Sequence, residues 1–408
     1  MPSIEAAEIR KILDSRGDPT VEVDILAEGA RGRAAAPSGA STSAHEARAF
    51  PEGGVDVAIA RFHEDVEPRI IGLELTSQKE VDRLLQQIDG TPDFSRIGGN
   101  VAVAVSLAVA KAAADSLHLP LYRYVGGAFA HRLPHPMGNV IGGGRHAIGG
   151  TTIQEFMAVS RGPTVAASVF ANARVHRVVR DLLRDRQPSG PLGRGDEGAW
   201  VAAIGDEDAL VILAEACRIV SHEVGFDVAP ALDLAASEFF EGGKYRYRDR
   251  TLSPDGQIDF VADLADRYGL FSVEDPLDEE DFAGYARLTE LVGKTCHVIG
   301  DDLFATNVER LHKGVEMHAA NAILIKPNQI GTLSGAKAAV DLAHRHGYAT
   351  VISHRSGETT DETIAHLAVA FGCLGRAHPD RGGARRGLGC RKRNGSARKG
   401  SSYPRTRT

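Results

Sequence analysis

A (β/α)8-type α/β barrel, preceded by a smaller α+β domain, is the fold that this 408-residue sequence predicts. Three observations carry the prediction. Five short apolar runs, at residues 228–234, 270–273, 296–299, 322–325 and 349–352, recur about every 25–40 residues. Each is followed by a stretch able to form a helix, which is the rhythm of βα units around a parallel sheet. The runs also lack in/out alternation, as strands covered on both faces do. Ahead of them lies a different pattern of strand, turn and strand followed by helical periodicity, marking a separate first domain.

Taken in order, residues 4–13 and 20–26 read as two strands joined across Ser15-Arg16-Gly17-Asp18, residues that tolerate tight turns. Residues 37–43 are small and polar, a mobile loop. Helical periodicity then covers 55–66, 78–88 and 99–116. Pro120 and the Gly126-Gly127 pair mark a boundary near residues 127–134. The expected division is a capping domain over residues 1–130 and a catalytic barrel over 134–373, with the remainder a separate tail.

Composition excludes several classes. With 43% hydrophobic and 25% charged residues, the chain has the balance of a soluble globular protein. No apolar run is long enough to span a bilayer. Glu5, Glu8 and Asp14 argue against a signal or transit peptide. Cys217, Cys296, Cys373 and Cys390 are far apart and form no CxxC pair, so neither a disulfide framework nor a zinc site is expected. A reducing cytoplasm fits best. Charge is divided unevenly: residues 374–408 hold nine Arg, two Lys, one Asp and no Glu, a net of +10, which leaves −17 for residues 1–373 out of the chain's −7.

The chemistry sits where the apolar runs end, at Asp233, Glu274 with Asp275, Asp301 with Asp302, Lys326, and Ser353-His354-Arg355-Ser356. In a barrel of this kind those ends converge on one mouth. A single Asp after a strand is usually a helix cap, but five successive polar ends call for a site. Asp233, Glu274 and Asp301 would repel one another unless compensated, and carboxylates with water are the ligands that magnesium prefers. An ammonium at Lys326, near metal ions and low-dielectric walls, is expected to have a lowered pKa and to act as a general base. The plainer reading makes it a neutralising charge. Arg355 and Ser356 beside Gly357 suit a phosphate or carboxylate. Glycine-rich segments at Gly142-Gly143-Gly144-Arg145-His146 and Gly193–Gly198 flank Glu155 and Glu197, which would suit acids that protonate a leaving hydroxide; equally, such segments are often only loops.

The ordered motifs are Leu13-Asp14-Ser15-Arg16-Gly17-Asp18-Pro19-Thr20-Val21-Glu22-Val23, Ser38-Gly39-Ala40-Ser41-Thr42, Gln154-Glu155-Phe156-Met157, Gly195-Asp196-Glu197-Gly198, Ser272-Val273-Glu274-Asp275-Pro276, Gly300-Asp301-Asp302-Leu303, Lys326-Pro327-Asn328-Gln329-Ile330-Gly331-Thr332 and Ser353-His354-Arg355-Ser356-Gly357-Glu358-Thr359. Together they resemble the enolase family from the N-terminus to about Cys373. The resemblance implies a lyase that reversibly dehydrates 2-phosphoglycerate to phosphoenolpyruvate with two Mg2+ ions per site. Asp233, Glu274 and Asp301 would hold the first ion, and Ser41 the second through its backbone. Lys326 would take the C2 proton, and Glu197, assisted by Glu155, would protonate the departing hydroxyl. His146 and His354 would contact substrate, and Arg355 with Ser356 would hold the phosphate. A homodimer or higher homo-oligomer is implied, with no membrane and no nucleic-acid partner.

Departures from that family are small at Gly142, where it has Asn, and at Ser43 and Ala199, where it has Gly. After Cys373 the departure is large. The family continues with a Lys-Thr-Gly motif and a terminal helix rich in Leu, Ile and Glu, and its carboxylate-binding lysine falls where Ala377 stands. Between 374 and 408 the large apolar residues are Leu374, Leu388 and Tyr403, too few for a buried strand and an amphipathic helix. The last barrel strand and helix are therefore expected to be missing, the tail disordered, the fold destabilised and the activity impaired. So abrupt a shift reads as a change of reading frame; translation of the gene in the other frames from codon 374 should restore a Lys-Thr-Gly motif. A genuine basic tail for nucleic acid or acidic partners ranks lower, because the segment replaces barrel structure instead of extending it. Two further readings are a relative acting on another acid, disfavoured by residues 38–42 and Arg355-Ser356, and a non-catalytic or RNA-associated scaffold, disfavoured by the intact carboxylates and Lys326.

Overall fold

The computed structural model describes residues 2–39, 43–147, 149–186, 190 and 192–374. It opens with an antiparallel meander, β1 (Ile4–Leu13), β2 (Pro19–Ala27) and β3 (Ala30–Ala35). The third strand escapes the sequence reading because its outward positions are Arg31 and Arg33, which look like loop residues. Both donate to Asp24, at 3.0 and 2.9 Å, and Arg10 joins them. The inner face places Val21, Val23 and Ile25, fully buried, in the same core as the helix Gly99–Ser116. Helix and sheet touch at Gly32, where a Cβ would fall 2.0 Å from the Ala108 carbonyl oxygen; no side chain fits that approach. The helix Gly54–Arg61 passes through one wider turn, Phe62–Val66, into Glu67–Ile70, and Gln78–Asp89 completes the layer.

The barrel supplies β4 (Met137–Gly142), β5 (Glu155–Ser160), β6 (Gly193–Arg194), β7 (Trp200–Val201) and β8 (Val228–Asp233). A small meander follows, β9 (Phe240–Glu241), β10 (Lys244–Arg246) and β11 (Thr251–Leu252). Then come β12 (Ser272–Glu274), β13 (His297–Gly300), β14 (Ala322–Ile325) and β15 (Ala349–Ile352). The large sheet runs β15-β14-β13-β12-β8-β5-β4-β7-β6. From β8 to β15 the neighbours are parallel, as the five apolar runs predict. The pairs β4–β5 and β5–β8 are antiparallel, and the sequence reading took that stretch for site loops. No helix among the described residues is long and apolar enough to cross a membrane.

Four helices of the barrel layer start at side-chain caps. Ser253 accepts from Gly256 N, Asp281 from Gly284 N, Asn307 from Glu309 N and Thr332 from Gly335 N, at 2.8–3.2 Å. Each such cap contributes about 1 kcal/mol.

At the far edge, Leu374 donates its N–H to the Thr350 carbonyl at 2.9 Å, and its own carbonyl accepts from His135 N at 3.0 Å. One residue thus spans the seam between β15 and the segment entering β4. The position of the missing lysine, Ala377, and the tail from residue 375 lie outside the described residues.

Candidate active site

Ten of the eleven residues expected at the site line one cavity of about 420 Å³: His146, Glu155, Glu197, Asp233, Glu274, Asp301, Lys326, His354, Arg355 and Ser356. The eleventh, Ser41, lies outside the described residues. The helix caps that could have explained the strand-end acids are other residues, further along each βα loop. Capping therefore does not account for Asp233, Glu274 or Asp301.

These three side chains are buried at adjacent strand ends, with Glu274 beside Asp233 in register. Asp233 accepts from Gln154 Nε2 at 3.1 Å and from Ala235 N at 2.9 Å. Asp301 accepts from Gln329 Nε2 at 2.9 Å and from Lys326 Nζ. Glu274 has no hydrogen-bond donor or ion-pair partner among the described residues. Burial first, then the charges of Asp233 and Asp301, push its carboxyl well up, and Asp233 is pushed up in the same way by burial, Glu155 and Asp301. A buried carboxylate without a donor, beside two more, suits a hard divalent cation. The ligand atoms that actually converge within 4.8 Å belong to Asp275, Asp301 and Asp302, and to His146, Glu155 and Glu197.

Asp275, named in the sequence only as the neighbour of Glu274 at a strand end, acts as scaffold. Its carboxylate accepts from Asp301 N at 3.0 Å, Asp302 N at 2.7 Å and the Tyr285 hydroxyl at 2.9 Å, while its own backbone holds a φ of 38°. Burial, with Asp301 and Asp233 nearby, raises it from 3.8 to about 8. The folded chain thus keeps a proton that the unfolded chain releases near pH 4, so stability from this group falls as pH rises from about 4 through 8. In chelator, the melting temperature should decline over that window, and millimolar magnesium should flatten the decline; a pH-independent melt with and without the ion would refute this.

Lys326 departs from expectation. Burial alone would lower its pKa, but contact with Asp301 and the fields of Glu274 and Glu46 outweigh burial, so it is raised. The expected lowering presumed that a cation already balances those acids.

The remaining carboxyls form a pair with opposite tendencies. Burial and the charge of Glu197 push Glu155 well up. Burial would raise Glu197 too, but His354, His146 and Asn139 bring it down to about 2. His354 Nε2 lies 3.1 Å from Glu197 Oε1, and Asn139 Nδ2 donates to Oε2 at 3.0 Å. His146 Nδ1 is 3.1 Å from Glu155 Oε1 but lacks the alignment of a hydrogen bond. The surroundings thus push the two carboxyls apart, favouring the protonated form at Glu155 and the ionised form at Glu197. Gln154 and Gln329 stand in the motifs without a role and Asn139 in none of them; the tertiary neighbours of these amides reveal what they do.

The phosphate-suited loop is braced from the first domain. Ser38 and Gly357 exchange two backbone hydrogen bonds of 2.8 Å, and Ser15 N donates to the Glu358 carbonyl at 2.7 Å. A Cβ on Gly357 would meet Asp14 Oδ2 at 2.3 Å and the Ser38 carbonyl oxygen at 2.9 Å. Gly357→Ala should destabilise the chain by roughly 1–3 kcal/mol through overpacking and weaken phosphate binding; an unchanged melting temperature and affinity would contradict the bracing role.

Comparison with known proteins agrees with the two-domain architecture. The family model described as "Enolase, N-terminal domain" matches residues 4–125, and "Enolase, C-terminal TIM barrel domain" matches residues 130–380. Enolase of Methanothermobacter thermautotrophicus is 52% identical over 375 residues, 90% of each chain. Enolase of Natronomonas pharaonis is 54% identical over 374 residues, 91% of this chain and 93% of its own. That of Halorubrum lacusprofundi is 53% identical over 375 residues, 91% and 92% of the two chains. With a barrel, a preceding α+β domain and matches over nine-tenths of its length, the chain belongs to the enolase family.

Proposed function

We propose that the chain is a lyase, a phosphopyruvate hydratase, interconverting 2-phosphoglycerate and phosphoenolpyruvate in glycolysis and gluconeogenesis. The observation that supports this best is the convergence, on one cavity, of three buried carboxylates, one of them (Glu274) without a donor among the described residues, an ammonium, two further carboxyls pushed in opposite directions, and a buried guanidinium. Asp233, Glu274 and Asp301 would hold a magnesium ion, with Ser41 serving a second. Bound there, magnesium supplies positive charge for the carboxylate oxygens of the substrate as the C2 proton leaves.

In this reading Lys326 takes that proton once its tie to Asp301 is relaxed. Glu155 gives its proton through Glu197 to the departing hydroxyl, so the buried proton reservoir and the relay are different side chains. His146 and His354 orient that relay, and Arg355 with Ser356 anchors the phosphate. Domain roles follow the expected division, residues 1–130 capping the barrel of 134–373, and the active form is a cytoplasmic homodimer or a larger homo-oligomer. Ala377 leaves the substrate carboxylate one cation short, which lowers turnover without changing the reaction.

The test is phosphoenolpyruvate formation from 2-phosphoglycerate by the purified chain, with magnesium and with chelator. Magnesium-dependent turnover, slower than that of the curated relatives by about 10²–10³-fold, the cost of one lost oxyanion donor, is the expected result. Folded protein that neither turns over nor binds 2-phosphoglycerate would overturn the reading.

A further inference from the structure

We infer that Glu46, in the first domain, is a positioning residue that sets the aim of the phosphate-binding Arg355. The inference rests on the reading of Arg355 as the phosphate anchor. Both side chains are nearly sealed, 7% and 3% exposed. Glu46 Oε2 accepts from Arg355 Nη1 at 2.9 Å and Oε1 from Nη2 at 3.2 Å, a fork-to-fork pair. Asn328 Oδ1 lies 3.3 Å from the same Nη1. A planar guanidinium gripped on two nitrogens cannot rotate without breaking both bonds.

The grip is itself tied to the barrel. Gln329 Nε2 reaches Glu46 Oε1 at 3.2 Å and Asp301 Oδ1 at 2.9 Å, and the Gln329 carbonyl accepts from Ala47 N at 2.8 Å. Glu46 also takes the N–H of Ser43 at 3.3 Å, where the chain leaves the 37–43 loop. One carboxylate thus joins the root of that loop to the guanidinium, and through Gln329 to the strand-end acid. Ser43 and Arg355 are thus held by the same carboxylate.

Charge and position make opposite forecasts, which makes the pair testable. A buried negative charge beside an anion site weakens anion binding, so its removal should tighten it. If Glu46 positions Arg355, Glu46→Gln instead loosens the site, because the amide nitrogen has no acceptor on the guanidinium. The experiment measures binding of inorganic phosphate, and of 2-phosphoglycerate with magnesium, to the full chain by calorimetry, alongside melting temperatures. Arg355→Met should weaken both, and Glu46→Gln should weaken both by about tenfold, the scale expected of a misaimed binding group. Glu46→Asp, which keeps the charge but draws it back one methylene, should fall between, and it decides the matter if Glu46→Gln does not fold. Equal or tighter phosphate binding in Glu46→Gln, or unchanged binding in Glu46→Asp, overturns the inference while leaving Arg355 as the anchor. Unchanged binding in Arg355→Met removes the anchor and the inference with it.

Discussion

Lys326→Met is expected to slow turnover of 2-phosphoglycerate by about 10⁴-fold, the upper range for loss of a positioned general base. The side chain stands at the end of β14, among Asp301, Glu274 and Glu46, and its ammonium is held by Asp301. If Lys326 merely balanced those acids, Lys326→Arg would retain the charge and most of the activity. As a base it cannot be replaced by arginine, whose guanidinium does not release its proton, so Lys326→Arg should be as inactive as Lys326→Met. Exchange of the C2 proton of 2-phosphoglycerate with deuterated solvent isolates the step: both variants should abolish it. Magnesium binding should tighten in Lys326→Met, because a competing cation has left. Proton exchange persisting within tenfold in Lys326→Arg would assign Lys326 the balancing role instead.

The second large effect concerns the seam. Phe129 is 89% exposed and Leu133 is 57% exposed, and the cavity continues past the charged residues to Met137, Met157, Phe271, Val351, Ile364 and Leu374. Met157 and Phe271 are already buried and Met137, Val351, Ile364 and Leu374 half-buried. Replacing residues 375–408 by an apolar strand and a Leu/Ile-rich amphipathic helix would cover the remaining apolar surface, where full burial of one exposed side chain contributes about 1.5–3 kcal/mol. At about 2 °C per kcal/mol for a chain of this size, the melting temperature should rise on the order of 10 °C. Binding of a hydrophobic dye should fall in parallel, as should aggregation on warming. A chain that melts at the same temperature before and after the exchange, without dye binding in either form, would show that its own residues already close the barrel.

Legibility in the sequence followed burial. The strands β8 and β12–β14 are short and covered on both faces, and β15 is short and apolar though only half-buried, so the five apolar runs stand out, and the helix Gly99–Ser116 is apolar nearly all round. By contrast β3 hides behind Arg31 and Arg33, and β4–β5 behind glycines and a polar start at Glu155. Among the site residues, Glu155, which begins β5, and His146 and Glu197, which lie between strands, were flagged by glycine-rich segments and motif resemblance. Asp233, Glu274, Asp301, Lys326 and the 354–356 segment were legible because they end or follow strands whose ends converge. Their supports were not, since Gln154, Gln329 and Asn139 are ordinary amides until a carboxylate is seen 2.9–3.1 Å away. The contact of Lys326 with Asp301 was not legible for the same reason: which charge lies nearest an ammonium is a fact of folding alone.

Helix capping in this barrel falls to Ser253, Asp281, Asn307 and Thr332, while Glu274, Asp301 and Lys326 at neighbouring strand ends serve the cavity. Stability and chemistry are thereby entrusted to different positions within each βα unit. Mutation can rewrite a strand end, trading a carboxylate for an amine or an amide, without unwinding the helix that follows. A lineage built this way can explore new reactions at the mouth while natural selection for folding looks elsewhere.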